Sequence, residues 1–121
     1  METHFMVYLT DSPNAVDFYQ KAFNAQTRNA YKDDDGTYMH VEIVKNGQFV
    51  LAIMECKERD TGGMNMQFWI TFDTEEDIRS VYVALKEDAK LYQPLDICPW
   101  SNLMADLTDK YGVRWLLSYW E

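Results

Sequence analysis

The sequence predicts an α+β protein in which one βαβββ module is used twice. Three observations point there. Strand-like runs and helical periods follow one another as β-α-β-β-β and then repeat that order. Asn46-Gly47, flanked by strand-like residues, is the signal for a two-residue type I′ hairpin. The stretch Lys45–Cys56 (KNGQFVLAIMEC) is echoed by Thr108–Glu121 (TDKYGVRWLLSYWE), with Gly47 and Gly112 65 positions apart. Aligning the first strands pairs His4 with Gln67 at an offset of 63, and Tyr19 with Tyr82 at the same offset. The difference between 63 and 65 requires a two-residue insertion in the second copy.

Each element has a local reason. His4 to Thr10 (HFMVYLT) is rich in aromatic and β-branched residues and reads as a buried strand. Asp11-Ser12-Pro13 starts a helix, with Asp11 or Ser12 as cap and Pro13 at the first helical position. Ala15, Phe18, Tyr19, Ala22 and Phe23 recur at helical spacing, and Asn24 is the stop. Gln26 to Lys32 is a weaker strand, followed by a turn at Asp33-Asp34-Asp35-Gly36. Tyr38–Lys45 and Gln48–Glu55 form the hairpin. Counting back from the turn sets Val44 opposite Phe49, Glu42 opposite Leu51 and His40 opposite Ile53. The polar stretch Lys57 to Asn65, with Gly62-Gly63, links the modules. Met66 to Phe72 is the next strand, and Thr74 caps a helix whose first turn is acidic and whose apolar face is Ile78, Val81, Tyr82 and Leu85. Leu91–Cys98, Ser101–Leu107 and Val113–Trp120 complete the set. Pro94 and Pro99 weaken the first of these or put it at an edge.

Composition bounds the function. A chain of 121 residues with 47% hydrophobic and 15% aromatic side chains buries an ordinary core. Its formal charge of −9 opposes binding to nucleic acid or to an anionic membrane. No run approaches the ~20 apolar residues of a membrane span, and Met1–Thr10 lacks a leader pattern. Cys56 and Cys98 have no CxxC spacing and read as reduced thiols. A cytoplasmic location is the expectation. The acids around Gly36 do not make a calcium loop, because Tyr38 and Val44 stand where the loop glycine and the bidentate Glu belong.

Tyr8-Leu9-Thr10, Phe18-Tyr19-Gln20-Lys21-Ala22-Phe23, His40-Val41-Glu42 ahead of Asn46-Gly47, Trp100 and the run Asp109-Lys110-Tyr111-Gly112-Val113-Arg114-Trp115 together resemble the vicinal-oxygen-chelate superfamily. This is the fold of glyoxalase I, bleomycin-resistance proteins and extradiol dioxygenases, and within it the chain is similar to the PhnB-like group. Ala105 departs from the pattern, where the group usually has Gly. The resemblance implies one domain over residues 1–121, with module 1 at about 1–57, a linker at about 58–65 and module 2 at about 66–121. Each module would be a curled mixed sheet, the two enclosing a cavity, in a homodimer. Many members hold a divalent metal (zinc, nickel, manganese or iron) through the first and last strands of each module. Those positions fall at His4, Leu51, Gln67 and Leu116. Leu cannot ligate, so His4 and Gln67 remain as metal candidates, with Glu42 as a substitute carboxylate, and a cavity that requires no metal is favoured.

The residues expected to carry function follow from strand parity. His40 and Glu42 lie two apart and share a face, as a general base and its partner. The competing structural reading is a pair satisfying each other at a rim. Met6, Tyr8, Phe49 and Trp69 supply the apolar and aromatic lining, and Arg114 a cation for an anion or a ring. Such a wall suits a small hydrophobic or aromatic molecule. Sequestration without chemistry, as in bleomycin resistance, is the leading expectation. Its rivals are a divalent-metal-dependent lyase, isomerase or dioxygenase, and a protein-interaction module with a collapsed cavity. Methyl transfer is disfavoured, because no glycine-rich loop follows a parallel strand.

Overall fold

The computed structural model describes residues 1–56, 66–99 and 101–120. The expected linker 58–65 and Trp100 lie outside the described residues. The chain divides into two compact units, Met1–Asp60 and Thr61–Glu121. Unit 1 runs β1 (Met6–Leu9), α1 (Ser12–Phe23), β2 (Gln26–Lys32), β3 (Tyr38–Lys45) and β4 (Gln48–Glu55). Unit 2 runs β5 (Phe68–Phe72), α2 (Glu75–Leu85), β6 (Lys90–Cys98), β7 (Ser101–Thr108) and β8 (Arg114–Tyr119). The sheets have equivalent orders, β1-β4-β3-β2 and β5-β8-β7-β6. In each, the first strand runs parallel to the last and the other pairs are antiparallel. The fold is therefore α+β with two mixed sheets, as the repeat predicts.

Each helix covers one face of its sheet. In unit 1 the buried apolar side chains of α1 are Ala15, Val16, Tyr19, Ala22 and Phe23. They meet the face of β3 and β4 that carries Val41, Ile43, Leu51 and Ile53, all four fully buried. Each such side chain is worth roughly 1.5–3 kcal/mol of apolar transfer. In unit 2, α2 buries Ile78, Val81 and Leu85, beside a sheet core of Leu107, Trp115 and Leu117. Thr74 caps α2 as expected, its side chain accepting from Asp77 N at 3.1 Å.

The start of α1 differs from the expectation of a local cap. Asp11 occupies the N-cap position in a left-handed conformation (φ 59°) and makes no side-chain cap bond. The end of β4 supplies the cap instead. Glu55 accepts from Asp11 N at 3.1 Å and from Ser12 N at 2.8 Å. A carboxylate at a helix N-terminus satisfies orphan donors and complements the dipole. Ser12 Oγ accepts from Tyr38 N at 2.9 Å and so ties the helix start to β3.

The glycine echo holds in geometry. Gly47 and Gly112 each end a turn with positive φ, 78° and 85°. The turn before β8 is a residue longer, closing on Asp109 N to Val113 O at 2.8 Å. Its centre is Asp109, only 3% exposed. One oxygen accepts from Tyr111 N (2.9 Å) and Val113 N (3.1 Å), and the other from the Trp115 indole N–H (2.8 Å). Trp115 is fully buried, a core residue one position off Leu116 and Arg114 in strand parity.

The β3–β4 register corrects the sequence count. Lys45 pairs with Gln48 and Val44 with Phe49, as the hairpin requires. A bulge then intervenes, and Ile43 pairs with Leu51, Glu42 with Ala52 and Val41 with Ile53. An extra residue on one strand shifts every later pair by one. Leu51 and Ile53 thus face α1 and do not share a wall with His40 and Glu42.

Candidate functional site

The face of the unit 1 sheet turned away from α1 carries the candidate site. Met6, Ala52, Glu42 and Arg28 form one row across all four strands. Tyr8 pairs with Met54 on the same face, and Tyr31 with His40. Much of this face is open, with Tyr8 58%, Tyr31 63% and Met54 36% exposed.

Glu42 is the hub of a polar cluster on that face. Its Oε1 accepts from Arg28 Nε at 2.9 Å. Its Oε2 accepts from Asn29 Nδ2 at 3.1 Å and meets His40 Nε2 at 3.1 Å. A β-bulge in β2 makes this convergence possible. The register shifts between Arg28 and Tyr31, and Asn29 takes a left-handed φ of 51°. Two consecutive residues of β2 thereby reach one carboxylate, which regular alternation forbids.

The cluster fixes protonation. The bonds from His40, Asn29 and Arg28 hold the Glu42 carboxyl down at about 2, against a smaller opposing effect of burial. Glu42 is thus an acceptor only, and the proton in its bond with His40 sits on the imidazole Nε2. In neutral His40 the second nitrogen, Nδ1, is then a base, and it makes no hydrogen bond among the described residues. With three donors on its oxygens, the Glu42 carboxylate holds the His40 ring in place, and its oxygens are already engaged rather than open to a metal.

Unit 2 holds a counterpart. Trp69, Leu116, Asp106 and Gln93 form the equivalent row. Asp106 accepts from Gln67 Nε2 at 2.9 Å and from Arg114 Nε and Nη2 at 3.1 and 2.9 Å. That fork raises the Arg114 pKa and places its guanidinium carbon 4.8 Å from the centre of the Tyr92 ring. Trp69 is 64% exposed, yet its indole N–H is pinned to Ser118 Oγ at 2.8 Å. A wide depression of about 580 Å³ in this unit, between Arg79, Ile97, Pro99 and Trp120, shares no residue with the Asp106 cluster.

The structure brings Met6, Tyr8, His40 and Glu42 to one face. Phe49 is set apart, its ring edge-on to His4 at 4.6 Å between centroids. Trp69, Gln67 and Arg114 belong to unit 2. Sequence reasoning missed Arg28, Asn29 and Tyr31. An acid-free strand, QTRNAYK, with an Asn at its centre was the available signal.

A family model described as the Glyoxalase/Bleomycin resistance protein/Dioxygenase superfamily matches residues 3–117. The chain belongs to this superfamily. Among solved structures it is similar to the PhnB protein from Bacillus cereus, with 25% identity over 98% of this chain and 99% of that one and a TM-score of 0.82. A glyoxylase/bleomycin resistance protein/dioxygenase domain from Frankia sp. EAN1pec has 13% identity, with coverage of 100% and 98% and a TM-score of 0.74. A variant of the fosfomycin resistance protein FosX from Listeria monocytogenes, complexed with Mn(II) and 1S,2S-dihydroxypropylphosphonic acid, has 15% identity, coverage of 98% and 90% and a TM-score of 0.70. The last two likenesses are of fold alone. No curated protein matches the chain.

The superfamily's divalent metal can be tested against these residues. The bulge moves the β4 position from Leu51 to Ala52, and neither Ala52 nor Leu116 carries a donor. His4 precedes β1, half-exposed and 3.5 Å from Glu2. Gln67 is hydrogen-bonded to Asp106. Among the described residues no three His, Cys, Asp or Glu are gathered as a metal site. This donor set does not fit a tightly held ion. Among the described residues, too, no helix is long and apolar enough to cross a membrane.

Proposed function

We propose that this superfamily member binds a small hydrophobic or aromatic molecule on the open face of the unit 1 sheet, with no required metal. The observation that carries the reading is the Arg28–Asn29–Glu42–His40 cluster set among exposed Met6, Tyr8, Tyr31 and Met54. A flat apolar body lies on the Met and Tyr side chains, and His40 Nδ1 meets its polar group. If the bound molecule reacts, His40 is the residue that takes or delivers a proton, and Glu42 keeps its ring in place. Trp69 and Arg114 form a second lining in unit 2. A homodimer in the cytoplasm, without nucleic acid or membrane as partner, completes the proposal. The acidic charge supports the absence of nucleic acid and anionic membrane, and two cysteines without CxxC spacing support the cytoplasm.

The test is a ligand screen by thermal shift together with the metal content of the purified protein. Binders whose effect disappears in His40→Ala, in protein without stoichiometric metal, are the expected result. Stoichiometric zinc, nickel, manganese or iron, lost in His4→Ala together with a turnover, would replace this reading with a metal-dependent lyase, isomerase or dioxygenase. Mn(II) in the FosX complex is the observation behind that second reading.

A further inference from the structure

Arg28 contributes more donors than Glu42 uses. A guanidinium carries five N–H groups and two edges that match an oxyanion. Only its Nε is engaged, at 2.9 Å from Glu42 Oε1, and the described residues give its two terminal nitrogens no partner. The side chain is 42% exposed. Asn29 and His40 serve the other Glu42 oxygen, so Arg28 spends a single N–H on the carboxylate. An exposed ion pair is also worth little to stability, a median of about 0–1 kcal/mol.

The surroundings favour an anion. The chain has 20 acids against 11 Lys and Arg, yet β2 (QTRNAYK) holds two cations and no acid. Lys32 sits farther along the same border, its Nζ 5.1 Å from the centre of the Tyr38 ring. Arg28 answers the Glu42 charge, so the cluster presents no net negative charge to an incoming anion. The Tyr31 ring stands 6.4 Å from His40 on the same border. Pinning Nε holds the guanidinium plane before any ligand arrives, which lowers the ordering cost of binding.

We propose that the β2–β3 border is an oxyanion-recognition site in which the outer edge of Arg28 anchors a small organic acid, a carboxylate or a phosphonate. The apolar body of that acid lies beside the Tyr31 ring and His40 on this border and extends toward Met54 on β4. This rests on the reading of the same face as a binding wall. It adds the charge class of the ligand and a specificity residue outside the His40–Glu42 pair.

Three probes with one ring test it: benzoate, phenylphosphonate and neutral benzyl alcohol. Each is titrated into isotope-labelled protein while the Arg28 Nε–H and the Met6 and Met54 methyl signals are followed. At least one acid should bind tenfold or more tightly than the alcohol, and the better of the two identifies a planar or a tetrahedral oxyanion. Arg28→Gln should cost that acid roughly tenfold to a hundredfold, the range of a lost charge-assisted contact. Benzyl alcohol should be unaffected, and Arg28→Lys should restore only part of the loss. Equal binding of acids and alcohol, or an acid preference that survives Arg28→Gln, overturns the oxyanion site and leaves the binding wall standing. No response of this face to any probe overturns both.

Discussion

Replacing Glu42 by Gln removes a charge while keeping the size of the side chain. In the folded chain the carboxyl falls from 4.5 to about 2, chiefly through His40 and then Asn29. A drop of roughly 2.5 units has a ceiling of about 3.4 kcal/mol at ~1.36 kcal/mol per unit. Its partners are partly in water, Arg28 at 42% and His40 at 33% exposure. Solvent screening therefore reduces the expected contribution to about 1–2 kcal/mol. The sign follows from linkage. A depressed carboxyl stabilises the fold above its unfolded pKa and loses that stabilisation as pH falls through the folded value. Urea unfolding of wild type and Glu42→Gln should differ by about 1–2 kcal/mol at pH 7. That gap should close between pH 4.5 and about 2 as the wild-type carboxyl protonates. Other acids titrate in both proteins and cancel in the difference. A gap that is absent at pH 7, or constant down to pH 2, would refute the reasoning.

Two further substitutions examine features that position the sheets. Asp109→Ala strands the buried N–H groups of Trp115 and Val113 and should cost about 3–5 kcal/mol. With a urea slope near 2 kcal/mol/M that is a midpoint shift of roughly 2 M, and a loss below about 1 kcal/mol would contradict the assigned bonds. Glu55→Ala removes both acceptors at the start of α1 and should cost about 1–2 kcal/mol. Hydrogen exchange of the Asp11 and Ser12 amides should quicken, and unchanged exchange there would mean that another group caps the helix.

Much of the fold was legible because its signals are local. Asn46-Gly47, Thr74 before three acids, and Pro94 in an edge strand each act within a few residues. The site was less legible because it depends on register. One bulge after Val44 exchanged Leu51 for Ala52 beside Glu42, and a count from the turn has no means of seeing it. A second bulge aimed Arg28 and Asn29 at that carboxylate from a strand whose residues are all exposed. The cap of α1 was hidden for the same reason, since Ser12 and Glu55 are 43 residues apart.

The same physics explains why the resemblance reaches the fold and stops short of the ligand. The most distinctive run, Asp109 to Trp115, is occupied with its own turn. Asp109 collects the N–H groups of Tyr111, Val113 and Trp115, and Gly112 takes the positive φ the turn needs. Within that run only Arg114 reaches toward a candidate site, in its fork with Asp106. The groups proposed to meet a ligand in unit 1, Arg28, Tyr31 and His40, sit on β2 and β3, where exposed side chains do little for folding. A chain can therefore keep the superfamily's sheets while changing the charge and shape of what it binds. On the proposal that this face binds an organic acid, the Arg28 nitrogens left without a partner among the described residues and the orientation of His40 say more about the ligand than the motif that places the chain in the superfamily.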